Sequence, residues 1–420
     1  MTDMEIEIEP GSHSETVIRC AWLVNPGKAP RKNIRVTIVN GTVAELCEAP
    51  ADELSQIADV AIMPSFVNVH THLEFSRLPA PLAPSTPFSD WIRSVIQYRS
   101  AGPDGEQFMT DGIRSGLHES RNAGVRLIGE ISTTEHGVST LQQAIEEARI
   151  SGVSFRELIG FSADHVSGQL NAAGKHLETT PAIYTIADEH QLVRGLSPHA
   201  PYSVHPELFE GLVDIARRTT VPVAMHLAET VDEVELLLNQ TGRFVDFLQS
   251  LNLWDPQILA PGTAPLRYLE KLAQLERALA VHGNYFGPAE IEFLSRHPHV
   301  AVVYCPRTHA YFGHTPHPWQ QLQSAGAVVL LGTDSRASNP DLSVWKELQF
   351  VASRKNVAPV WELLPMITTS AAAALGFDEE DFVVKVGNRF HAVSLPCKCD
   401  SASRLNATLI RAADVTDVSL

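Results

Sequence analysis

Five histidines and one aspartate draw notice because of where they fall. His70 and His72 close an apolar run over 62–70, His199 closes 193–199, His226 sits in 221–227, His282 closes 278–282, and Asp334 follows 327–333. Residues two apart on a strand share a face, so His70 and His72 can hold a metal ion from one strand through neutral ring nitrogens. An isolated His-x-His is more often two satisfied side chains, a lone His226 is more often structural, and Asp334 alone reads as a helix N-cap. Taken together they offer three nitrogens and one carboxylate oxygen. That donor set suits Zn²⁺ with one position left for water, and Fe²⁺ is its competitor. One divalent ion per chain is therefore expected, Zn²⁺ first. Such an ion lowers the pKa of water towards ~7 and supplies hydroxide at neutral pH.

Glu229 lies just past His226, within reach of that water. It can take the water proton, pass it to a ring nitrogen and assist a departing amine, help worth roughly 10²–10⁴-fold. The competing reading of Glu229 is a solvated loop carboxylate, and of His282 a buried structural side chain. With His282 as donor and Asp334 as ligand and acceptor, catalysis is assigned to Glu229, His282 and Asp334.

Those side chains need a scaffold that brings strand ends together. Eight apolar runs, at 62–70, 125–131, 155–161, 193–199, 221–227, 278–282, 300–305 and 327–333, alternate with helix-like stretches at 107–122, 141–150, 206–218, 231–239, 288–296 and 342–354. Nearly continuous apolar runs fit parallel strands buried on both faces. The alternation predicts an α/β protein built as a (β/α)₈ TIM-like barrel over 62–381, with functional groups at the C-terminal ends of its strands. Runs at 17–20, 34–39 and 43–46, the last two joined by Asn40-Gly41, read as strands with a hairpin turn. With further runs at 382–386, 392–395 and 407–411 they predict a small β-sandwich domain made from 1–61 and 382–420.

The chain has 420 residues and a net charge of −17. That balance argues against nucleic acid or an anionic membrane surface as partner and leaves a small molecule; a homodimer is left open. The five cysteines form no Cys-x-x-Cys pair, so a thiolate metal site or a disulfide framework is not expected and a reducing compartment fits. The acidic start, Met1 to Pro10, lacks the features of a signal peptide, no run approaches a membrane span, and a cytoplasmic protein is expected. No glycine-rich nucleotide loop is present.

Met63-Pro-Ser-Phe-Val-Asn-Val-His70-Thr-His72-Leu-Glu74 resembles the first-strand motif of the amidohydrolase superfamily. His226-Leu-Ala-Glu229-Thr230 resembles the fifth-strand motif of its aminohydrolase branch, which holds deaminases and chlorohydrolases. Ser197-Pro-His199-Ala-Pro-Tyr202, Val281-His282-Gly and Gly332-Thr-Asp334-Ser are similar to that branch's other signatures, in order from Met63 to Ser335. The resemblance implies His70, His72, His226 and Asp334 as ligands, Glu229 as proton shuttle, His282 as the group that orients water, and His199 and Glu74 as substrate contacts. The 155–161 strand and its downstream loop have no Lys before Lys175, and no bridging Lys is evident at the fourth strand, which favours a mononuclear site. Two departures stand out. Ser65 replaces a usual glycine, and Cys305-Pro306-Arg307-Thr308-His309 replaces a usual Asn-Pro-x-Ser-Asn; Arg307–His314 is most similar to deaminases of aminofutalosine-type nucleosides.

At this substrate-facing end Arg307 could pair with a carboxylate bidentately, or else form an intraprotein ion pair. Trp91 could line the pocket, as could Tyr202, Tyr311 and Phe312, although such aromatics often simply pack. His309, His314 and His317 read as hydrogen-bonding groups in preference to a second metal site. The expected activity is deamination of an aminated heterocycle, a purine nucleoside or aminofutalosine-like compound, through metal-activated hydroxide with release of ammonia. The alternatives are hydrolysis of another non-peptide C–N or a C–Cl bond, or a barrel that binds a ligand without turnover.

Overall fold

The computed structural model describes residues 15–101, 105–178, 190–412 and 414–420; the Met1–Pro10 segment read above for a signal peptide lies outside them. Two sheets organise the chain. Strands β1 (Glu15–Leu23), β2 (Arg31–Val39), β3 (Thr42–Glu48) and β4 (Ala58–Pro64) come from the beginning. The barrel strands are β5 (Phe66–Thr71), β6 (Val125–Ser132), β7 (Ser151–Leu158), β8 (Leu192–Pro198), β9 (Val223–Leu227), β10 (Ala278–His282), β11 (Val300–Tyr304) and β12 (Val329–Leu331). Strands β13 (Ala392–Pro396) and β14 (Thr416–Asp417) follow. The barrel sheet runs β12-β11-β10-β9-β8-β7-β6-β5, and its neighbouring strands are parallel. The small unit is one hydrogen-bonded sheet of six strands, order β14-β13-β4-β1-β2-β3.

The ring closes between β5 and β12. Asn68 Nδ2 donates to Thr333 Oγ1 at 2.8 Å, and Thr333 N donates to Asn68 Oδ1 at 3.1 Å. Asp334 N then donates to His70 O at 3.1 Å. A side-chain amide supplies both a donor and an acceptor where the short last strand cannot continue the ladder. The barrel interior holds Val67, Val69, Leu127, Phe155, Val281, Val303 and Leu330, all buried, with a second apolar layer between strands and helices.

Three readings of the sequence are corrected here. The 62–70 run is two strands in two sheets, because Pro64-Ser65 breaks it: β4 pairs with β1 and β13, and β5 begins the barrel. The 407–411 run lies in a helix, Ala402–Arg411, whose buried Leu405 and Leu409 are four apart, the helical period. The 382–386 run is no strand either. Val384 has its backbone N–H and C=O taken by the Asn25 side chain, at 3.0 and 2.9 Å. No helix among the described residues is long and apolar enough to cross a membrane.

Candidate active site

The first turn after β5 is held from outside. Glu130, buried at the end of β6, accepts from Thr71 Oγ1 at 2.6 Å and from Leu73 N at 2.9 Å. Helix Glu106–Asn122 presses on the same turn through two glycines: a Cβ on Gly112 would stand 2.5 Å from Glu74 O, and one on Gly116 2.3 Å from Ser76 Oγ. Gly332 has the same function at the far side of the seam, where a Cβ would stand 2.8 Å from the His70 Cβ. Ala228, His282 and Asp334 all carry positive φ, of 52°, 72° and 59°. Left-handed backbone at non-glycine residues is disfavoured and gathers at functional sites; here it bends the chain at the strand ends.

These ends converge. His226 Nε2 lies 3.3 Å from His72 Nε2, Asp334 Oδ1 lies 3.5 Å from His72 Nε2, and 3.7 Å from His70 Nε2. Four donors at ~2.1 Å around a tetrahedral ion stand about 3.4 Å from each other. Both ring nitrogens of His70 are buried without a hydrogen bond, a state that costs free energy unless a ligand occupies it. His226 Nδ1 is 3.1 Å from His199 O, so this nitrogen donates and Nε2 is left bare towards the cluster, the arrangement found behind metal-binding imidazoles. Burial, followed by the neighbouring His70, holds both His72 and His226 neutral by pushing their pKa values well below the usual range. The residues present fit a divalent cation.

Glu229, His282 and Asp334 form the adjoining group, their ligand atoms within 4.8 Å of one another. Glu229 Oε1 is 3.5 Å from His282 Nε2. Burial first, then Asp334 and Glu233, push the Glu229 carboxyl well above the usual carboxylate range. The sequence matches the family described as "Amidohydrolase family" over residues 61–408. The chain belongs to the amidohydrolase family. A relative from Pelotomaculum thermopropionicum, a 5-methylthioadenosine/S-adenosylhomocysteine deaminase, is 29% identical over 330 residues, covering 76% of this chain and 68% of that one. Among solved structures, Helicobacter pylori aminofutalosine deaminase in complex with methylthio-coformycin shares the fold with a TM-score of 0.77 at 19% identity, covering 95% and 97% of the two chains. An adenosine deaminase from Xanthomonas campestris with bound zinc has a TM-score of 0.73 at 24% identity, covering 95% and 90%.

In this amidohydrolase a cavity of about 230 Å³ opens over the cluster. His72, His226, Glu229, His282 and Asp334 form its floor, and His199 and Trp91 line it. The Trp91 indole N–H donates to Ala337 O at 3.1 Å, which fixes the ring. His199 is held by Ser203 Oγ at 2.5 Å, and burial, with Arg99 behind it, depresses its pKa to about 3. Glu74 lines a second cavity that shares Phe75, Arg99, Glu157 and Ile159 with the first. Its carboxylate accepts from Arg99 at 2.5 Å and Thr133 at 3.1 Å.

Arg307 is the correction. It does not line the cavity. Its Nε donates to Glu347 Oε1 at 2.6 Å and its terminal nitrogen to Asp341 Oδ1 at 2.7 Å, with Glu347 fully buried. The guanidinium fork is spent inside the protein, tying the end of β11 to helix Val344–Ala352. Three positioning groups escaped the reading of the amidohydrolase sequence. Glu233 accepts from the backbone N–H groups of Ala228 and Glu229, at 2.8 and 3.0 Å; Thr230-x-x-Glu233 ahead of an apolar helix was its signal. Glu130 showed only as an acid inside an apolar run, and Arg99 gave no signal.

Proposed function

We propose that this amidohydrolase deaminates an adenosine-type nucleoside, replacing the exocyclic amine by oxygen and releasing ammonia. The observation that carries this reading is the grouping of Glu229, His282 and Asp334 within 4.8 Å beside the three-histidine cluster. His70, His72, His226 and Asp334 would hold one divalent ion, Zn²⁺ by preference. When bound, that ion supplies a water acidified to the neutral range. Deamination needs an oxygen on the amine-bearing carbon, a proton on the adjacent ring nitrogen and a protonated leaving amine. Glu229, beside the cluster, is placed to carry those protons, from water to ring nitrogen and then to the amine. His282, 3.5 Å away through Nε2, steadies the oxygen as it adds. His199 faces the bound nucleoside from the end of β8. The wall from helix Phe88–Ala101, with Phe88, Trp91, Ile92 and Val95, suits an apolar group remote from the amine.

The relative from Pelotomaculum thermopropionicum is a deaminase, which supports this reading over C–Cl hydrolysis. The test is ammonia release by zinc-loaded protein from adenosine, 5′-deoxyadenosine, 5′-methylthioadenosine and aminofutalosine, with guanine and a chlorotriazine as comparison. Release from at least one nucleoside supports the proposal. Release from none of them, or chloride release from the triazine alone, overturns it.

A further inference from the structure

The Arg307–His317 segment brings in a histidine that the reaction described above leaves unused. His317 is buried, at 7% exposure, and its ring stacks on that of Tyr304, itself fully buried on β11, with centroids 4.0 Å apart and an interplanar angle of 23°. Its Nε2 lies 2.8 Å from the backbone carbonyl of His282. A carbonyl only accepts, so Nε2 carries the proton and the ring is a donor there. Burial depresses the His317 pKa to about 3, so the ring stays in this neutral form.

The carbonyl it holds is an unusual one. Pairing between β10 and β11 stops at Val281↔Val303, and the next residue, His282, turns into the left-handed region at φ 72°. His282 still pairs with Leu227 of β9, but on the β11 side no strand partner remains for its C=O, and a buried carbonyl without a partner is costly. The peptide that His317 captures is the one that carries the imidazole facing Glu229. We propose that His317 is a positioning residue: by clamping the His282 carbonyl from a ring locked against Tyr304, it sets where the His282 imidazole sits over the reacting centre. A displacement of about 1 Å at such a group can reduce turnover by about 10²-fold.

The kinetic arm of the test rests on the deaminase reading; the spectroscopic arm does not. His317→Phe keeps a ring to stack on Tyr304 and removes the donor, whereas His317→Gln keeps an N–H donor and removes the ring. The Phe variant should lose about 10- to 100-fold in kcat with KM, metal content and melting temperature near wild type, and the Gln variant should recover most of that loss. In zinc-loaded protein labelled at histidine, the ring ¹⁵N signals of His282 should move in the Phe variant while those of His70, His72 and His226 stay. Wild-type kcat with unmoved His282 signals in the Phe variant overturns the proposal. So does an equal loss in both variants, or a loss that tracks falling metal content and melting temperature. If the wild type releases ammonia from no nucleoside, the deaminase reading falls and the His282 signals alone decide this one.

Discussion

His70 has both ring nitrogens buried without a hydrogen bond, so the apoprotein carries a desolvation penalty that a cation bound through one of them relieves in part. Purified protein should contain close to one divalent ion per chain, and Asp334→Ala should lower that content in elemental analysis; two tightly held ions, or full occupancy in the variant, would contradict the site. Glu229→Gln keeps the side chain's shape and removes its ability to accept a proton. It should reduce kcat by at least ~10²-fold with metal content unchanged, measured by steady-state ammonia release. The cluster was legible from sequence because imidazoles at the ends of apolar strands are chemically conspicuous. Arg307 was misread because its partners, Asp341 and Glu347, lie 34 and 40 residues away, and nothing in the local sequence says that a guanidinium is already paired.

Elements hold these side chains by contacts that can be tested separately. Arg307→Met would leave Glu347 buried with its chief counter-charge gone, which should cost about 3–5 kcal/mol, seen as a lower denaturation midpoint, while a structural role predicts little change in KM. Gly112→Ala sets two effects against each other. Helix propensity alone would favour alanine by about 1 kcal/mol, but the new Cβ would meet Glu74 O at 2.5 Å. Overpacking against backbone should win, with net destabilisation of about 1–3 kcal/mol and weaker activity, since the turn carrying His72 and Glu74 must shift. The strands themselves were legible as β-branched runs, and β10 is found at its expected bounds, Ala278–His282. The errors have local causes. A five-residue window over Ala407–Arg411 hides the Leu405–Leu409 spacing, and the 62–70 run conceals a change of sheet at a proline that is tolerated because β4 ends there.

Across the molecule, the acidic balance of −17 is repeated in the cavity, where Glu157, Glu229 and Asp334 stand against a single arginine, Arg99, which already faces Glu74 and Glu157. A bound divalent ion would offset that field, so chelating it should lower the denaturation midpoint, measured by melting with and without EDTA; an unchanged midpoint would show that no ion holds the barrel. The overall plan, a barrel with a sheet drawn from both chain ends, was legible in the order of strand and helix signals. The seam was not, since it depends on Asn68 meeting Thr333, 265 residues further along. That seam has a thermodynamic meaning for the ion. His70 and Asp334 flank it from the first and the last barrel strand, so a cation shared by them fastens the two ends of the ring as a cross-link would. Such a clasp withdraws most from the entropy of the unfolded chain when the loop it closes is long, and the ion would then hold the barrel shut as well as serve its chemistry.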